Sequence, residues 1–497
     1  MYVISQNVAR GGFFVGLIAA VLTQHFTGVT GQYTISGLMI LWVMSSTWYY
    51  LAKKEGGEEQ QQHQQQEGRG DDGSNGYPGA DPLLALIEDE TRPSARRHRG
   101  QGGHRRRLYF LDNLKTFLTC CVILHHQTCA FVGEGWYFQF GRYDNFFRTW
   151  GLGVLVTNQC YFMSMFFFIS AYFTPSSLEK KGRTRFLRDK FKRLGIPYIF
   201  FSFVCSPLLA LQVRLFAYGD LSWVTAEAML PNPGPLWFVG WLLLFNYVYS
   251  LSDHASDLVR PLPSAPQWCL TIVGLNLANL ACIILLGLST LAFMPINFGS
   301  LPFYCYFFYA GCAAKQNGWF ENDRGLTALT KNLRLAVYIA FVVVALSYPT
   351  VADVVTLTGG LGFIDLAKSG IGFACFFAFS TLLVCFVFPV MLDFFGSQFD
   401  WVTPLSATLA ETSYASYIIH PFVVVLFTGI FKIVYNSQAG EEYKILYYEG
   451  SITSDSKLQN DQLWLFVGWG LTCASSICIT FFVAFLIRKI PGAKQIL

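Results

Sequence analysis

The number of long apolar segments is the feature that most restricts how this chain can fold. Ten segments of spanning length lie near 110–131, 155–174, 195–214, 236–252, 269–293, 298–316, 333–351, 369–393, 412–432 and 463–487. A helix needs about 20 apolar residues to cross a bilayer, and lipid tolerates only helices and closed barrels. We therefore predict an all-α, polytopic membrane helix bundle of about ten core transmembrane helices.

The composition agrees with an integral membrane protein. Hydrophobic residues make up 53% of the chain and charged residues only 13%, whereas about a quarter of the residues in soluble domains are charged. The net charge of +4 is small, so we expect the lipid bilayer and not nucleic acid as a partner. The 13 cysteines form no CxxC pair and no secreted disulfide spacing. We therefore interpret them as small buried hydrophobic residues and not as metal ligands or disulfide partners.

Shifts in composition divide the chain into three regions. Residues 1–52 hold two apolar stretches, which predict one or two N-terminal membrane helices, a targeting device or an added anchor. Residues 53–107 are rich in Gln, Glu, Gly and Arg, which predicts a disordered cytoplasmic linker. The ten apolar segments fall in residues 108–490, which we take as the transmembrane domain.

Basic residues indicate the orientation of this domain. They gather in the linker, in the loop expected after the second span, after the sixth span and in the C-terminal tail. Since cytoplasmic loops carry an excess of Lys and Arg, we expect the linker and the C-terminus on the cytoplasmic side. An even number of spans agrees with that placement. The membrane itself, plasma membrane or endomembrane, stays open.

A polar stripe runs along the first core segment. Lys115 and His126 are eleven positions apart, which is about 20° from a whole number of turns and about 16 Å along a helix. Asp112 lies on the same face and can pair with Lys115, whereas His125 points about 80° to the side. Ionisable groups at membrane depth are costly and indicate function. We predict that His126 accepts a proton from a hydroxyl; the alternative is a plain hydrogen bond to a neighbouring helix.

A cluster of cations precedes the third span. Arg188, Lys190, Lys192 and Arg193 stand directly before the apolar run that begins with LGIP. Such a cluster suits phosphate groups, as in coenzyme A or a lipid headgroup. The alternative is an orientation signal that binds no ligand.

A second polar stripe opens the ninth span, in ETSYASYIIHPF. Ser413 and His420 are seven positions apart and face the same way within about 20°, while Ser416 and Tyr417 lie within one turn of His420. Hydrogen bonding between helices and a substrate site are both open for this stripe. The segment GPLWF heads the fourth span, where Pro235 suits a helix start.

These segments, taken in order, resemble the membrane-bound acyltransferase 3 family. The motifs that carry the resemblance are LDNLKTFLTCCVILHH, FFFISAYFTPSSLEKKG, FLRDKFKRLGIP, GPLWF, FYAGCAAKQNGW and SYASYIIHPF. Together they cover most of residues 108–490. The opening segment is most similar to the branch that contains glucan-modifying succinyltransferases.

The resemblance implies transfer of an acyl group from a cytoplasmic acyl-coenzyme A to an acceptor hydroxyl, of a carbohydrate or another molecule. The family pairs a basic residue with a histidine eleven positions on, here Lys115 with His126. It also has a basic-x-x-Arg motif before the third span, here Lys190 and Arg193. The chain departs from the commonest pattern with Lys at 115 and 190 and with Ala171 in place of Gly. Lys keeps the charge but lacks the planar fork of Arg.

The expected site therefore has two parts. The catalytic residues are His126, Lys115 and Asp112. The residues expected to bind the donor or the acceptor are Arg188, Lys190, Arg193, Ser413, Tyr417 and His420. We expect acyl-coenzyme A as a co-substrate, no permanently bound cofactor and no metal. His126 acts either as a general base or through a covalent acyl-histidine.

Two other functions are also compatible with the sequence. In a proton-coupled transporter or lipid flippase, Asp112, Lys115 and His126 would form a relay. In a membrane scaffold or sensor, the Gln-rich linker would be the interaction arm. The sequence has no H-x-x-x-x-D box, P-loop, H-E-x-x-H zinc motif or G-x-S-x-G elbow.

Overall fold

A computed structural model describes the transmembrane domain except for several connections. The described residues are 107–133, 136–137, 145–218, 231–252, 261–286, 290–291, 294–297, 300–320, 329–330, 370–439 and 462–497. The predicted N-terminal segment at 1–52 and the linker at 53–107, apart from its last residue, lie outside this set. The seventh expected span, near 333–351, also lies outside it.

The described chain is helical throughout apart from one short hairpin, so the predicted all-α class is confirmed. The helices are α1 Tyr109–Val132, α2 Asn145–Tyr172, α3 Thr174–Lys190, α4 Ile196–Phe200, α5 Ser206–Tyr218, α6 Trp237–Leu251, α7 Ala265–Leu286, α8 Leu301–Gln316, α9 Gly370–Gln398, α10 Pro404–Ala439, α11 Gln462–Arg488 and α12 Ala493–Ile496. π-helical turns at Phe191–Gly195 and Phe201–Cys205 join α3, α4 and α5, and a 3₁₀ turn at Gly234–Leu236 precedes α6. Strands β1 Thr290–Leu291 and β2 Met294–Asn297 pair antiparallel, with Leu291 opposite Met294.

Five helical stretches among the described residues are long and apolar enough to cross a membrane. They are Trp150–Tyr172, Thr174–Phe216, Gly234–Leu251, Pro404–Val434 and Leu463–Arg488. The expected count of ten is therefore not confirmed. α1 is not among the five, because Lys115, His125, His126 and Gln127 interrupt its apolar sequence.

α1 tolerates these polar residues because protein surrounds it. It packs against α2, α9, α10 and α11. Leu111, Leu114 and Leu118 repeat at helical spacing and are fully buried. The polar side chains of α1 therefore meet other helices, where hydrogen bonds can compensate them.

α1 and α10 run parallel to each other, and α11 runs antiparallel to both. The residue numbers of the contacting pairs increase in the same direction along α1 and along α10 with the residues just before it. The pairs are Phe110 with Asp400, Thr116 with Ser413, His126 with His420 and Gln127 with Thr428. On α11 the order reverses, because Ser476 contacts Gln127 whereas Arg488 contacts Glu411. A parallel pair agrees with helices that enter the membrane from the same side.

The segment expected as a basic loop, Lys180 to Arg193, is instead helical. α3 covers it to Lys190 and the π-helical turn continues it to Gly195. The only non-helical residue within α3 is Gly182, with φ 68° and ψ 164°. Long basic side chains are good helix formers, and Phe186 and Leu187 are buried, so the segment docks as a helix. The loop prediction was wrong.

The basic residues gather at one end of the bundle, which we call the basic end. There the Phe110 ring contacts Phe320, and Arg488 pairs with Glu411 at 3.0 Å. The tail helix α12 packs against the Phe191–Gly195 turn. The beginning of α1, the cation cluster and the C-terminal tail thus share one end of the molecule.

Candidate active site

Two histidines from the two polar stripes meet between α1 and α10. Nδ1 of His126 lies 2.7 Å from Nε2 of His420. Their rings are nearly parallel and meet edge to edge, with centroids 4.9 Å apart and planes within 8°. His420 is fully buried. The stripes that were found separately in the sequence therefore face each other, and we call this contact the histidine pair.

An indole ring covers the pair. Trp136, in the segment that follows α1, stacks on His126 with ring centroids 4.1 Å apart. Trp136 is 5% exposed, and its Nε1 has no hydrogen-bond partner in the described part of the chain. Tyr137 packs edge-on against it. Trp136 was not predicted from the sequence, because only its aromatic character near the end of a span could have indicated it.

His125 faces a different direction, as its spacing predicted. Its ring packs against Phe162 of α2, with centroids 5.2 Å apart, and stands edge-on to His126. The contact with His420 belongs to His126 alone of the two. The helical spacing therefore predicted correctly which of the two histidines faces α10.

The other end of the α1 stripe lies at the basic end of the bundle. Nζ of Lys115 is 3.4 Å from Oδ1 of Asp112, which is the ion pair expected from their spacing. The hydroxyl oxygen of Thr116, the next residue, lies 3.1 Å from the hydroxyl oxygen of Ser413. Ser413 thus marks the level of Lys115 on α10, whereas His420 marks the level of His126. Along α1, the eleven positions from Lys115 to His126 span about 16 Å.

Tyr417 and Ser416 stand between these two levels on α10. The Tyr417 hydroxyl donates to the carbonyl of Pro235, in the turn formed by GPLWF. Its ring packs against Phe238 of α6. Ser416 is fully buried, and its hydroxyl has no hydrogen-bond partner within the described residues. Tyr417 therefore ties α10 to the fourth expected span, which agrees with the structural interpretation of GPLWF.

The cation cluster lies beside the Lys115 level. The Tyr414 hydroxyl donates to the carbonyl of Arg193 at 2.7 Å, so the π-helical turn touches α10 one residue after Ser413. Nζ of Lys190 lies over the ring of Phe186, 5.3 Å from its centroid. Arg188 is exposed on α3. The structure thus places the expected donor-binding cations at the same end of the bundle as Lys115, and none of them beside the histidine pair.

A second polar network lies directly behind His126. Gln127 donates through Nε2 to Thr428 at 2.8 Å and accepts from the Ser476 hydroxyl at 3.0 Å. All three side chains are fully buried. This network joins α1, α10 and α11, and sequence reasoning missed it because its partners are far apart in the chain. No cluster of three or more His, Cys, Asp or Glu side chains suited to a metal occurs in the described residues.

Comparison with known proteins gives one match. The family model of the acyltransferase 3 domain, described as an acyltransferase domain, matches residues 108–489. No curated protein and no solved structure matches the chain. The match covers every residue of the expected site but does not separate branches, so the glucan succinyltransferase branch stays a prediction. Because the matched region is well over half of the chain, this membrane protein belongs to the acyltransferase 3 family.

Proposed function

We propose that this protein transfers an acyl group from acyl-coenzyme A to a hydroxyl of a carbohydrate or another acceptor, with His126 as the base. The observation that carries the proposal is the 2.7 Å contact between His126 and His420 inside the helix bundle. It occupies Nδ1 of His126 and leaves Nε2 for a substrate. A half-buried imidazole held in this way is suited to proton transfer.

The reaction follows from this placement. Nε2 of His126 takes the proton of the acceptor hydroxyl as the oxygen attacks the thioester carbonyl. The tetrahedral intermediate collapses, the carbon–sulfur bond breaks, and the thiolate of coenzyme A receives the proton from the imidazolium. Two donors have no partner in the described chain, Nε1 of Trp136 on the pair and the Ser416 hydroxyl one turn before His420, and they are suited to steady the oxyanion. In the covalent alternative, His126 itself accepts the acyl group first.

The donor enters, in this proposal, at the basic end. Lys190 and Arg193 bind phosphates of coenzyme A, with Arg188 as a further exposed cation. The thioester then reaches the histidine pair from this end of the bundle, along the direction of α1. The distance from Lys115 to His126, about 16 Å along the helix, explains why a long flexible pantetheine arm is useful.

Variants of His126 and Arg193 test the two halves of the site separately. In membranes from cells that produce the protein, transfer of label from acetyl- or succinyl-coenzyme A to endogenous acceptors is measured. We expect His126→Ala to lower turnover by about 10²–10⁴-fold. We expect Arg193→Ala to raise the donor KM with less effect on turnover. His125→Phe, which keeps an aromatic ring against Phe162, serves as the matched control.

Full activity of His126→Ala would exclude His126 as the base. Transport of a proton or lipid without consumption of the donor would instead favour the transporter or flippase function. Profiling of esters in cells that lack the protein would name the donor and the acceptor together, through the one ester that disappears.

A further inference from the structure

A proline determines which backbone group is available beside the histidine pair. Pro421 lies inside α10, and the helix continues through it. Proline has no N–H, so the carbonyl four residues earlier, that of Tyr417, receives no helical hydrogen bond from it. Nδ1 of His420 lies 2.6 Å from this carbonyl oxygen. The side chain of His420 therefore replaces the donor that Pro421 lacks.

This contact fixes the proton on both rings when they are neutral. A carbonyl oxygen only accepts, so Nδ1 of His420 must carry a hydrogen, and its Nε2 is then bare. A hydrogen bond between this Nε2 and Nδ1 of His126 needs a hydrogen on one of the two nitrogens. Because Nε2 of His420 is bare, Nδ1 of His126 must carry that hydrogen. Nδ1 of His126 is thus protonated and Nε2 is the nitrogen with a free lone pair.

We propose that the Tyr417 carbonyl and His420 hold His126 in the tautomer whose Nε2 is basic, and that Pro421 makes this arrangement possible. His420 is then a positioning residue and not a substrate-binding one. In hydrolase triads a carboxylate has this role toward the catalytic histidine. Here the acceptor is a second imidazole, which requires no buried negative charge. The role of the tautomer in acyl transfer rests on the proposed function.

Nitrogen-15 NMR of the histidines tests the tautomers without any substrate. The full-length protein is labelled at its histidines, purified in detergent, and His126 and His420 are assigned by single variants. We expect both neutral rings to carry hydrogen on Nδ1 and to have a bare Nε2. A hydrogen on Nε2 of either ring would overturn the proposal. The titratable rings that face the pair are those of His125 and Tyr417, so their signals and variants are compared as well.

Substitutions at His420 test whether an acceptor at this position is sufficient. His420→Leu removes the acceptor, and we expect kcat to fall by about 10²–10⁴-fold with the donor KM unchanged, because a wrong tautomer costs about that much in a triad. In His420→Gln the amide oxygen can still accept from His126, so we expect at least about tenfold recovery of kcat relative to His420→Leu. Equal losses in the two variants would overturn the positioning role.

Pro421→Ala tests the proline directly. The new N–H competes with His420 for the Tyr417 carbonyl, so we expect mixed tautomers of His420 and a lower kcat. Pro389→Ala is the matched control, because Pro389 also lies inside a helix, α9, but does not belong to the pair. Unchanged tautomers in Pro421→Ala would remove the proline from the proposal. If wild type shows the expected tautomers but transfers no acyl group, the proposed function fails, whereas the arrangement of the Tyr417 carbonyl, His420 and His126 stands.

Discussion

Gln127 is the residue that ties the helix carrying His126 to two other helices. We predict that Gln127→Leu lowers the free energy of unfolding by about 1–3 kcal/mol, since it removes two interhelical hydrogen bonds and each is worth about 0.6–1.7 kcal/mol in a membrane. Thermal unfolding in detergent measures this change. Without these bonds α1 is held less firmly in its rotation about its own axis, and His126 is positioned less well. We therefore expect a larger fold-decrease in kcat than fold-increase in the donor KM.

A matched control is Ser397→Ala. The Ser397 hydroxyl is exposed and bonds only to the carbonyl of Phe394 in its own helix, so its loss should leave the unfolding temperature unchanged. An unfolding temperature of Gln127→Leu equal to that of wild type would show that the Gln127 network does not stabilise the bundle.

At the scale of single residues, the sequence predicted what depends on one helix. The angle between Lys115 and His126 is a property of α1 alone, so it distinguished His126 from His125. The contact with His420 depends on how two helices 294 positions apart pack, which no local spacing encodes. Trp136 lies beyond the end of α1, so helical spacing did not predict its contact with His126.

At the scale of elements, α2 and α8 approach each other closely at a glycine. A Cβ added to Gly311 would meet the backbone carbonyl of Phe168, and also the Ala171 side chain at 2.8 Å. We predict that Gly311→Ala lowers the free energy of unfolding by about 1–3 kcal/mol, the usual cost of overpacking. Chemical or thermal unfolding in detergent measures it.

Gly274→Ala on α7 is the control for this substitution. No atom lies within 4 Å of a Cβ at Gly274, so the change should be neutral or stabilise the helix by up to about 1 kcal/mol. Equal effects of the two substitutions would mean that the close contact between α2 and α8 contributes nothing. Ala171 stands where the family commonly has Gly, at this same contact, so a small side chain there is explained by packing.

Gly182 divides α3 just before the cation cluster. Its φ of 68° and ψ of 164° belong to a region that essentially only glycine adopts, while a Cβ there would touch nothing. We predict that Gly182→Ala costs about 1–3 kcal/mol of backbone strain and raises the donor KM, since it changes the direction from which the helix with Arg188 and Lys190 approaches.

Gly396→Ala, in α9 and also free of contacts, controls for the added methyl group. An unchanged donor KM in Gly182→Ala would show that the bend does not orient the cations. The helical form of α3 was not predicted, because a count of basic residues indicates the side of the membrane and says nothing about backbone conformation. The burial of Phe186 and Leu187 also stabilises the helix, and a count of basic residues does not include it.

At the scale of the whole molecule, the direction of each helix decides which groups can meet. Because α1 and α10 are parallel, the beginnings of both lie at the basic end and both histidines lie about 16 Å further along α1 from Lys115. The distance of the histidine pair from the cation cluster at the basic end therefore follows from the directions of the two helices. The positive-inside rule predicted that the cation cluster and the start of α1 share one end, whereas only five of the ten expected spans meet the length and hydropathy of a membrane helix among the described residues.

The arrangement predicts which positions share a side of the membrane. Lys192 and Lys494 are exposed, and α12 packs against the turn that contains Lys192. Leu463, at the other end of α11, is 74% exposed. Single cysteines at these positions, in a background without the native cysteines, are labelled in sealed vesicles with a membrane-impermeant maleimide. We expect Lys192→Cys and Lys494→Cys to react from the same side, and Leu463→Cys from the opposite side.

The same experiment tests how donor and acceptor are separated. If the basic end faces the cytoplasm, as the distribution of Lys and Arg predicts, Lys192→Cys is protected in right-side-out vesicles and labelled after inversion. Added acyl-coenzyme A should then slow labelling of Lys192→Cys, next to Arg193, but not that of Leu463→Cys. Labelling of Lys192→Cys and Lys494→Cys from opposite sides would contradict the packing of α12 on the Phe191–Gly195 turn, and with it the placement of the donor at the basic end.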